Sequence, residues 1–82
     1  MLVKQFVVDY LQSRGSLPQN PKDLLKYEYL DAGLIDSMGI VEMINEFEKK
    51  FKIYFKPQDM QSMEFRTVGG LIQLIEHLQK KR

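Results

Sequence analysis

The sequence predicts an all-α fold, a small four-helix bundle with three longer helices, one short helix and a long first loop. Apolar residues recur at helical spacing in three separate stretches, and no segment of consequence has the alternating pattern of a strand. The 82 residues leave room for a single domain, which we expect to span residues 1–82.

The first helix is predicted at the N-terminus, where apolar residues share one helical face for about three turns. Gly15 is expected to cap its end, and Pro18 and Pro21 to prevent it from resuming. The residues of this face are Leu2, Val3, Phe6, Val7, Tyr10 and Leu11.

The long first loop covers residues 15–36. A structureless connection of that length is unusual in a small domain, so we expect a short helical turn inside it. Gly33 lets the chain turn, and Leu34 and Ile35 then anchor the loop on the core. The helical turn is expected to involve Asp23, Leu24, Leu25, Tyr27 and Leu30.

A second helix is predicted to begin near Asp36 and Ser37, since both residue types favour N-terminal capping. Lysines collect at its C-terminal end, where they complement the helix dipole. Its buried stripe is expected to comprise Val41, Ile44, Phe47 and Phe51, widened by Ile40 and Met43.

Three shorter stretches complete the predicted bundle. Residues 53–55 are expected to be extended, and Pro57 suits the first position of a short third helix that reaches about Met63. Thr67 caps the last helix. Its inward residues are Val68, Leu71, Ile72, Leu74, Ile75 and Leu78.

Composition and charge exclude several kinds of site. The chain has no cysteine and one histidine, His77, so it cannot build a thiolate or multi-histidine metal centre. No apolar run is long enough for a transmembrane helix. We therefore expect a cytoplasmic, monomeric protein with no metal site, no enzymatic activity and no membrane insertion.

The charges are sorted along the chain. Residues 28–48 contain six acids and no lysine or arginine, and four lysines follow directly. Sorted charge bears on which partner surfaces can dock. The lysines are Lys49, Lys50, Lys52 and Lys56, and the chain ends with Lys80, Lys81 and Arg82.

The most informative motif is the segment DAGLIDSM at residues 31–38. Alone, Asp36 followed by Ser37 is an ordinary helix cap. Here, however, a loop with an apolar anchor would present the Ser37 hydroxyl at the positive end of an amphipathic helix. The helix dipole and free N–H groups would favour a phosphodiester there.

With its surroundings, this motif resembles the acyl carrier protein family, which includes peptidyl and aminoacyl carrier domains. The likeness continues through Val41 and Glu42 and covers essentially the whole chain. Further along it depends on Phe51, Lys52, Ile53, Phe65, Thr67 and Val68.

The resemblance implies that Ser37 carries a 4′-phosphopantetheine arm, which a phosphopantetheinyl transferase installs from coenzyme A. The thiol of the arm would hold acyl groups as thioesters for acyl-loading and acyl-processing enzymes, so a cysteine-free chain could do thioester chemistry. Asp36 would contribute to the metal-containing site of the transferase. Met38 would be an apolar contact, and Glu42 and Glu48 would dock on basic partner surfaces.

Two departures from typical fatty-acid carriers bear on the cargo. The chain is slightly basic, at +1, and Gly39 stands where many of them have an acid. D-alanyl carriers often share this Asp–Ser–apolar–Gly pattern. Gly39 either allows the arm or a partner to approach the helix closely, or it is a destabilising residue that the helix tolerates.

We expect an acyl carrier for fatty-acid, lipid or polyketide-type biosynthesis with a dedicated partner set. The alternative is an aminoacyl or D-alanyl carrier.

Three methionines could serve a hydrophobic cargo. Met43, Met60 and Met63 fall in or around the second and third helices. Methionine adapts to irregular gaps, so core filling is the favoured interpretation. The alternative is a cleft that opens for an acyl chain.

Two other classes of function remain. One is a helical interaction module in which Ser37 is merely a cap. The other is a nucleic-acid binder, since lysines alternate with aromatics at residues 49–56. Against it, Phe51 and Phe55 are predicted core residues, and a pI of about 7.9 is low for such a domain. We expect no nucleic-acid partner.

Overall fold

A computed structural model describes residues 2–80 of the chain. These residues contain five α-helices and one 3₁₀ turn. No strand occurs within these residues, so the predicted all-α class is confirmed. Lys81 and Arg82 of the basic C-terminus lie outside them. The elements are α1 (Val3–Gln12), α2 (Pro21–Lys26), α3 (Ser37–Phe51), α4 (Pro57–Gln61), the 3₁₀ turn (Met63–Arg66) and α5 (Val68–Lys80).

The last helix, α5, is the centre of the packing. It contacts α1, α2 and the 3₁₀ turn, and all six of its predicted inward residues are buried. The α1 helix packs on α3 through edge-to-face aromatic contacts: Phe47 lies 5.8 Å from Phe6 and 5.4 Å from Tyr10, measured between ring centroids. No helix among residues 2–80 is both long and apolar enough to cross a membrane.

The ends of α1 differ from the prediction. Leu2 is 78% exposed, because it lies ahead of the helix with extended backbone and is not part of the buried face. The C-terminal cap is Ser13, and not Gly15. The Ser13 N–H donates to the carbonyls of Asp9 and Tyr10, so the helical hydrogen bonding ends before the glycine.

The short helix inside the first loop is α2, and it starts earlier than predicted. Asn20 is its cap, since its side-chain oxygen accepts a hydrogen bond of 2.9 Å from the Lys22 N–H. Pro21 occupies the first helical position, where its fixed φ and missing N–H are tolerated. Pro21 therefore starts α2, whereas the sequence analysis expects it only to prevent α1 from resuming.

Tyr29 holds the loop against the rest of the molecule, a role that no sequence pattern predicts. Its side chain is fully buried, and its hydroxyl donates a hydrogen bond to the carbonyl of Phe65 in the 3₁₀ turn. The Val68 N–H also donates to the Tyr27 carbonyl at 3.1 Å. Burial raises the pKa of Tyr29, so the phenol stays protonated and can donate.

The buried stripe of α3 runs through Met43, Phe47 and Phe51, flanked by half-buried isoleucines. The prediction for Val41 was wrong, because its side chain is 58% exposed. Val41 lies two residues before Met43, and two residues turn a helix by about 200°. That rotation places it on the outer face.

The segment after α3 follows the prediction. Its residues alternate, with Ile53 and Phe55 buried and Tyr54 exposed between them, as in an extended chain. Phe51 is buried as well. The two phenylalanines therefore belong to the core, as predicted, and are not available to stack on bases.

The connection from α4 to α5 contains the 3₁₀ turn, which was not predicted. The α4 helix ends at Gln61, and Met63 begins the 3₁₀ turn instead of ending α4. Thr67 caps α5 as predicted, since its Oγ1 accepts a 3.0 Å hydrogen bond from the Gly70 N–H. A Cβ at Gly70 would come within 2.7 Å of the Glu64 Cα, so the turn and α5 meet backbone to backbone.

Substitution of Tyr29 tests the loop anchor. Tyr29→Phe keeps the buried ring but leaves the Phe65 carbonyl without its donor, so we expect the free energy of unfolding to fall by about 1–3 kcal/mol in urea denaturation. The matched control is Tyr54→Phe at an exposed ring, expected within about 0.5 kcal/mol of the parent. Equal losses in the two variants would contradict an anchoring role.

Candidate functional site

The start of α3 assigns separate roles to two neighbouring residues. Asp36 is the cap: its Oδ1 accepts a 2.7 Å hydrogen bond from the Gly39 N–H, and its carbonyl accepts one of 2.9 Å from the Ile40 N–H. Ser37 is the first helical residue and is exposed. Because a carboxylate supplies the cap, the Ser37 hydroxyl is not needed for it.

The surroundings of Ser37 fit a covalently attached phosphodiester. The serine lies at the N-terminus of a 15-residue helix, where the dipole favours negative charge. The N–H groups of Ser37 and Met38 belong to the first turn, which has no intrahelical acceptors for them. A phosphate on the serine oxygen would therefore lie beside free donors and a positive helix end.

The loop before Asp36 is anchored as the sequence predicted. Gly33 adopts a φ of +76°, a conformation that glycine reaches without strain. The Leu34 N–H then donates to the Tyr29 carbonyl at 3.1 Å, and Ile35 is buried. The position of Asp36 and Ser37 thus follows from the anchored loop as much as from α3.

Gly39 is explained by crowding from its own loop. It is buried, and a Cβ there would lie 2.8 Å from Ile35 Cγ2 and 3.1 Å from Asp36 Oδ1. The first atom is on a branched side chain held in the core, and the second is the capping oxygen. The glycine therefore allows the anchor and the cap to approach the helix at the same time.

Apolar and acidic side chains surround Ser37 on the outer face of α3. Met38 is 75% exposed, and Val41 is exposed one turn further on. Glu42 forms an ion pair of 3.2 Å with Arg14, which also donates to the Tyr10 hydroxyl at 2.9 Å. These hydrogen bonds, to Tyr10 first and Glu42 second, raise the pKa of Arg14.

Arg14 was not identified from the sequence. It follows α1 in the sequence, and no neighbouring residue in the sequence indicates that it pairs with Glu42, 28 residues away. In the folded chain it lines a cavity of about 250 Å³ together with Asp36 and Gly39. The long loop brings the arginine to the start of α3, and sequence spacing alone cannot show that approach.

Glu48 does not belong to the exposed acidic face. It is half-buried, and its Oε2 accepts a 2.9 Å hydrogen bond from the Phe55 N–H. The carboxylate therefore holds the extended segment against the end of α3. The structure gives this predicted docking acid an internal structural contact instead.

The three methionines do not form one cleft. Met43 is fully buried in the core, and Met60 is half-buried against it. Met63 is 83% exposed, because it starts the 3₁₀ turn and does not continue α4. The idea of a cleft lined by all three is therefore wrong for Met63.

Substitution of Gly39 tests the crowding. Gly39→Ala should lower the free energy of unfolding by about 1–2 kcal/mol, because the cost of overpacking exceeds the gain in helix propensity. Asn45→Ala is the control, since it is exposed in the same helix and alanine is the better helix former there. If thermal or urea denaturation shows both variants equally stabilised, the crowding does not constrain position 39.

Comparisons with known proteins show the family to which the chain belongs. A family model described as a phosphopantetheine attachment site matches residues 20–75. The D-alanyl carrier protein of Streptococcus equi subsp. zooepidemicus (strain MGCS10565) is 32% identical over 79 residues, which cover 96% of this chain and 98% of the relative. That of Leuconostoc citreum (strain KM20) is 30% identical over 78 residues, covering 95% and 97%. The chain therefore belongs to the family of carrier proteins that bear covalently attached 4′-phosphopantetheine.

Proposed function

We propose that Ser37 is the attachment residue and that the chain carries an aminoacyl cargo of the D-alanyl type. The observation that carries the first part is the division between Asp36, which caps α3, and Ser37, which is exposed at its first position. Carrier proteins deliver bound groups and do not transform them, which agrees with the expectation that the chain is no enzyme.

The names of the relatives support the choice of cargo. The relatives described above are D-alanyl carrier proteins and match nearly the full chain. Gly39, which follows the Asp–Ser–Met sequence, fits the same subgroup. Met43 is fully buried, and a small aminoacyl group needs no space inside the core. These observations favour the aminoacyl alternative over a fatty-acyl cargo.

The residues around Ser37 have distinct parts in this function. Asp36 holds the helix start in place, so that the Ser37 hydroxyl is presented at a defined position to the phosphopantetheinyl transferase. When attached, the cofactor supplies the thiol that holds the cargo as a thioester. The first-turn N–H groups of α3 and the helix dipole stabilise the negative charge of the phosphodiester.

Partner enzymes would dock beside the arm. Met38 and Val41 form an exposed apolar pair on the outer face of α3, and burial of such side chains favours association. Glu42 is exposed and can exchange Arg14 for a cation of the partner. Loading and processing enzymes would thus recognise an apolar centre with one acid at its edge.

The attachment residue is tested by intact mass. Incubation with coenzyme A and a broad-specificity phosphopantetheinyl transferase should add one phosphopantetheine to the parent chain and none to Ser37→Ala. Ser16→Ala, at an exposed loop serine, is the matched control and should be modified fully. Because Asp36 provides the cap, Ser37→Ala should also keep its free energy of unfolding within about 0.5 kcal/mol.

Two results would count against this assignment. Modification of Ser37→Ala would place the arm elsewhere. A folded parent chain without any mass shift would favour the interaction-module alternative, in which Ser37 has no prosthetic group.

The cargo is tested on the modified chain. Incubation with a D-alanine-activating ligase and ATP should add one alanyl group, which hydroxylamine removes because it is a thioester. A fatty acid with an acyl-carrier-specific ligase should give little product under the same conditions. Efficient fatty-acyl loading without alanyl loading would instead support the fatty-acid alternative.

A further inference from the structure

The extended segment after α3 presents a row of three side chains to the solvent, at the end of the helix opposite Ser37. Lys52, Tyr54 and Lys56 are exposed, and the residues between them are buried. Tyr54 and Lys56 lie two residues apart in extended chain and therefore face the same way. Lys52 ends α3 in the left-handed conformation, at a φ of 56°, and lines the same cavity as the other two. We call these three residues the basic row. Tyr54 is 70% exposed, which is unusual for so large a ring.

The lysines of the basic row are not neutralised by the nearby acids. The carboxylate of Glu48 accepts from the Phe55 N–H and that of Asp59 from the Lys56 N–H, both at 2.9 Å. Neither lysine of the row has an ion-pair partner within residues 2–80. The acids therefore fix the backbone of the segment, while the ammonium groups remain in the solvent.

A cavity of about 460 Å³ lies against the basic row. Its lining combines the three side chains of the row with buried Ile53 and Leu78, with Gln58, and with the acidic Asp59, whose carboxylate accepts from the Lys56 N–H. Further positive charge is close in the chain, since exposed Lys49 precedes the row and Lys80 follows Leu78 on α5. Lys50 is not part of this group, because its Nζ lies over the Phe6 ring at 5.5 Å.

The chemistry of the basic row suits a layer of anionic lipid headgroups. Lysine is a strongly hydrated point charge and is depleted from desolvated protein interfaces, but it attracts phosphate headgroups across water. Tyrosine, with an apolar ring and a polar tip, is enriched at membrane–water interfaces. A nucleic-acid strand would need further aromatic faces, and the neighbouring Phe51 and Phe55 are buried.

We propose that the basic row is a peripheral docking surface for an anionic bilayer. It lies about 20 Å from Ser37, the length of α3, so the chain can rest on a lipid surface with its arm-bearing end free for partner enzymes. Binding is electrostatic, reversible and without insertion of a helix. It does not depend on modification of Ser37.

Vesicle sedimentation tests the proposal on the full chain, before and after phosphopantetheine attachment. We expect co-sedimentation with phosphatidylcholine vesicles that contain phosphatidylglycerol, none with phosphatidylcholine alone, and release between about 50 and 500 mM salt. Lys52→Gln with Lys56→Gln should weaken binding roughly 25-fold, about fivefold for each lysine. Lys4→Gln with Lys22→Gln removes the same charge from α1 and α2 and should bind like the parent.

Three outcomes would overturn the proposal: no binding to the anionic vesicles, equal losses in the two double variants, or tighter retention by a single-stranded oligonucleotide than by vesicles. Its failure is distinguishable from failure of the proposed function. The Lys52 and Lys56 variant should still accept phosphopantetheine, and Ser37→Ala should still bind the vesicles.

Discussion

The buried phenol of Tyr29 ties the long first loop to the 3₁₀ turn, and the position of α3 follows from that contact. A first loop of more than twenty residues has little tendency to hold one conformation, because its ordering costs conformational entropy. Tyr29 offsets that cost with a fully buried ring and a hydrogen bond to the Phe65 carbonyl. The same residue accepts the Leu34 N–H through its own carbonyl. Through these contacts the 3₁₀ turn determines where the loop ends and therefore where α3 begins.

At the start of α3, the helix cap and the exposed hydroxyl belong to two different residues, Asp36 and Ser37. In many helices a serine at this point would be the cap, and its hydroxyl would be occupied. Here the Asp36 carboxylate occupies that place, and Gly39 leaves space for it beside Ile35. The arrangement leaves the Ser37 hydroxyl exposed on a rigid helix end. Under the proposed attachment of the arm to Ser37, this arrangement lets a carrier protein without cysteine present a thiol that its cofactor supplies.

The two ends of α3 differ in the partners they suit. Near Ser37, the outer face of α3 exposes Met38 and Val41, with Glu42 at the edge. Such a surface suits a protein partner that excludes water from the contact. Beyond the C-terminal end, the basic row offers hydrated cations around an exposed tyrosine. Because the two surfaces are separated by the length of the helix, a carrier could use them at the same time without competition.

Local sequence patterns predicted the three longer helices, and the resemblance of the whole chain to carrier proteins pointed to Ser37 as the candidate attachment residue. Periodic apolar residues and the capping positions Asp36 and Thr67 act through neighbours within one or two helical turns, so local patterns are sufficient for them. Contacts between segments that are far apart in the sequence followed only from the fold: Tyr29 with Phe65, and Arg14 with Glu42. The fold also set the exposure of Met63 and the internal hydrogen bond of Glu48. The reason is physical: burial depends on which surfaces the folded chain brings against each residue, and no local spacing records that.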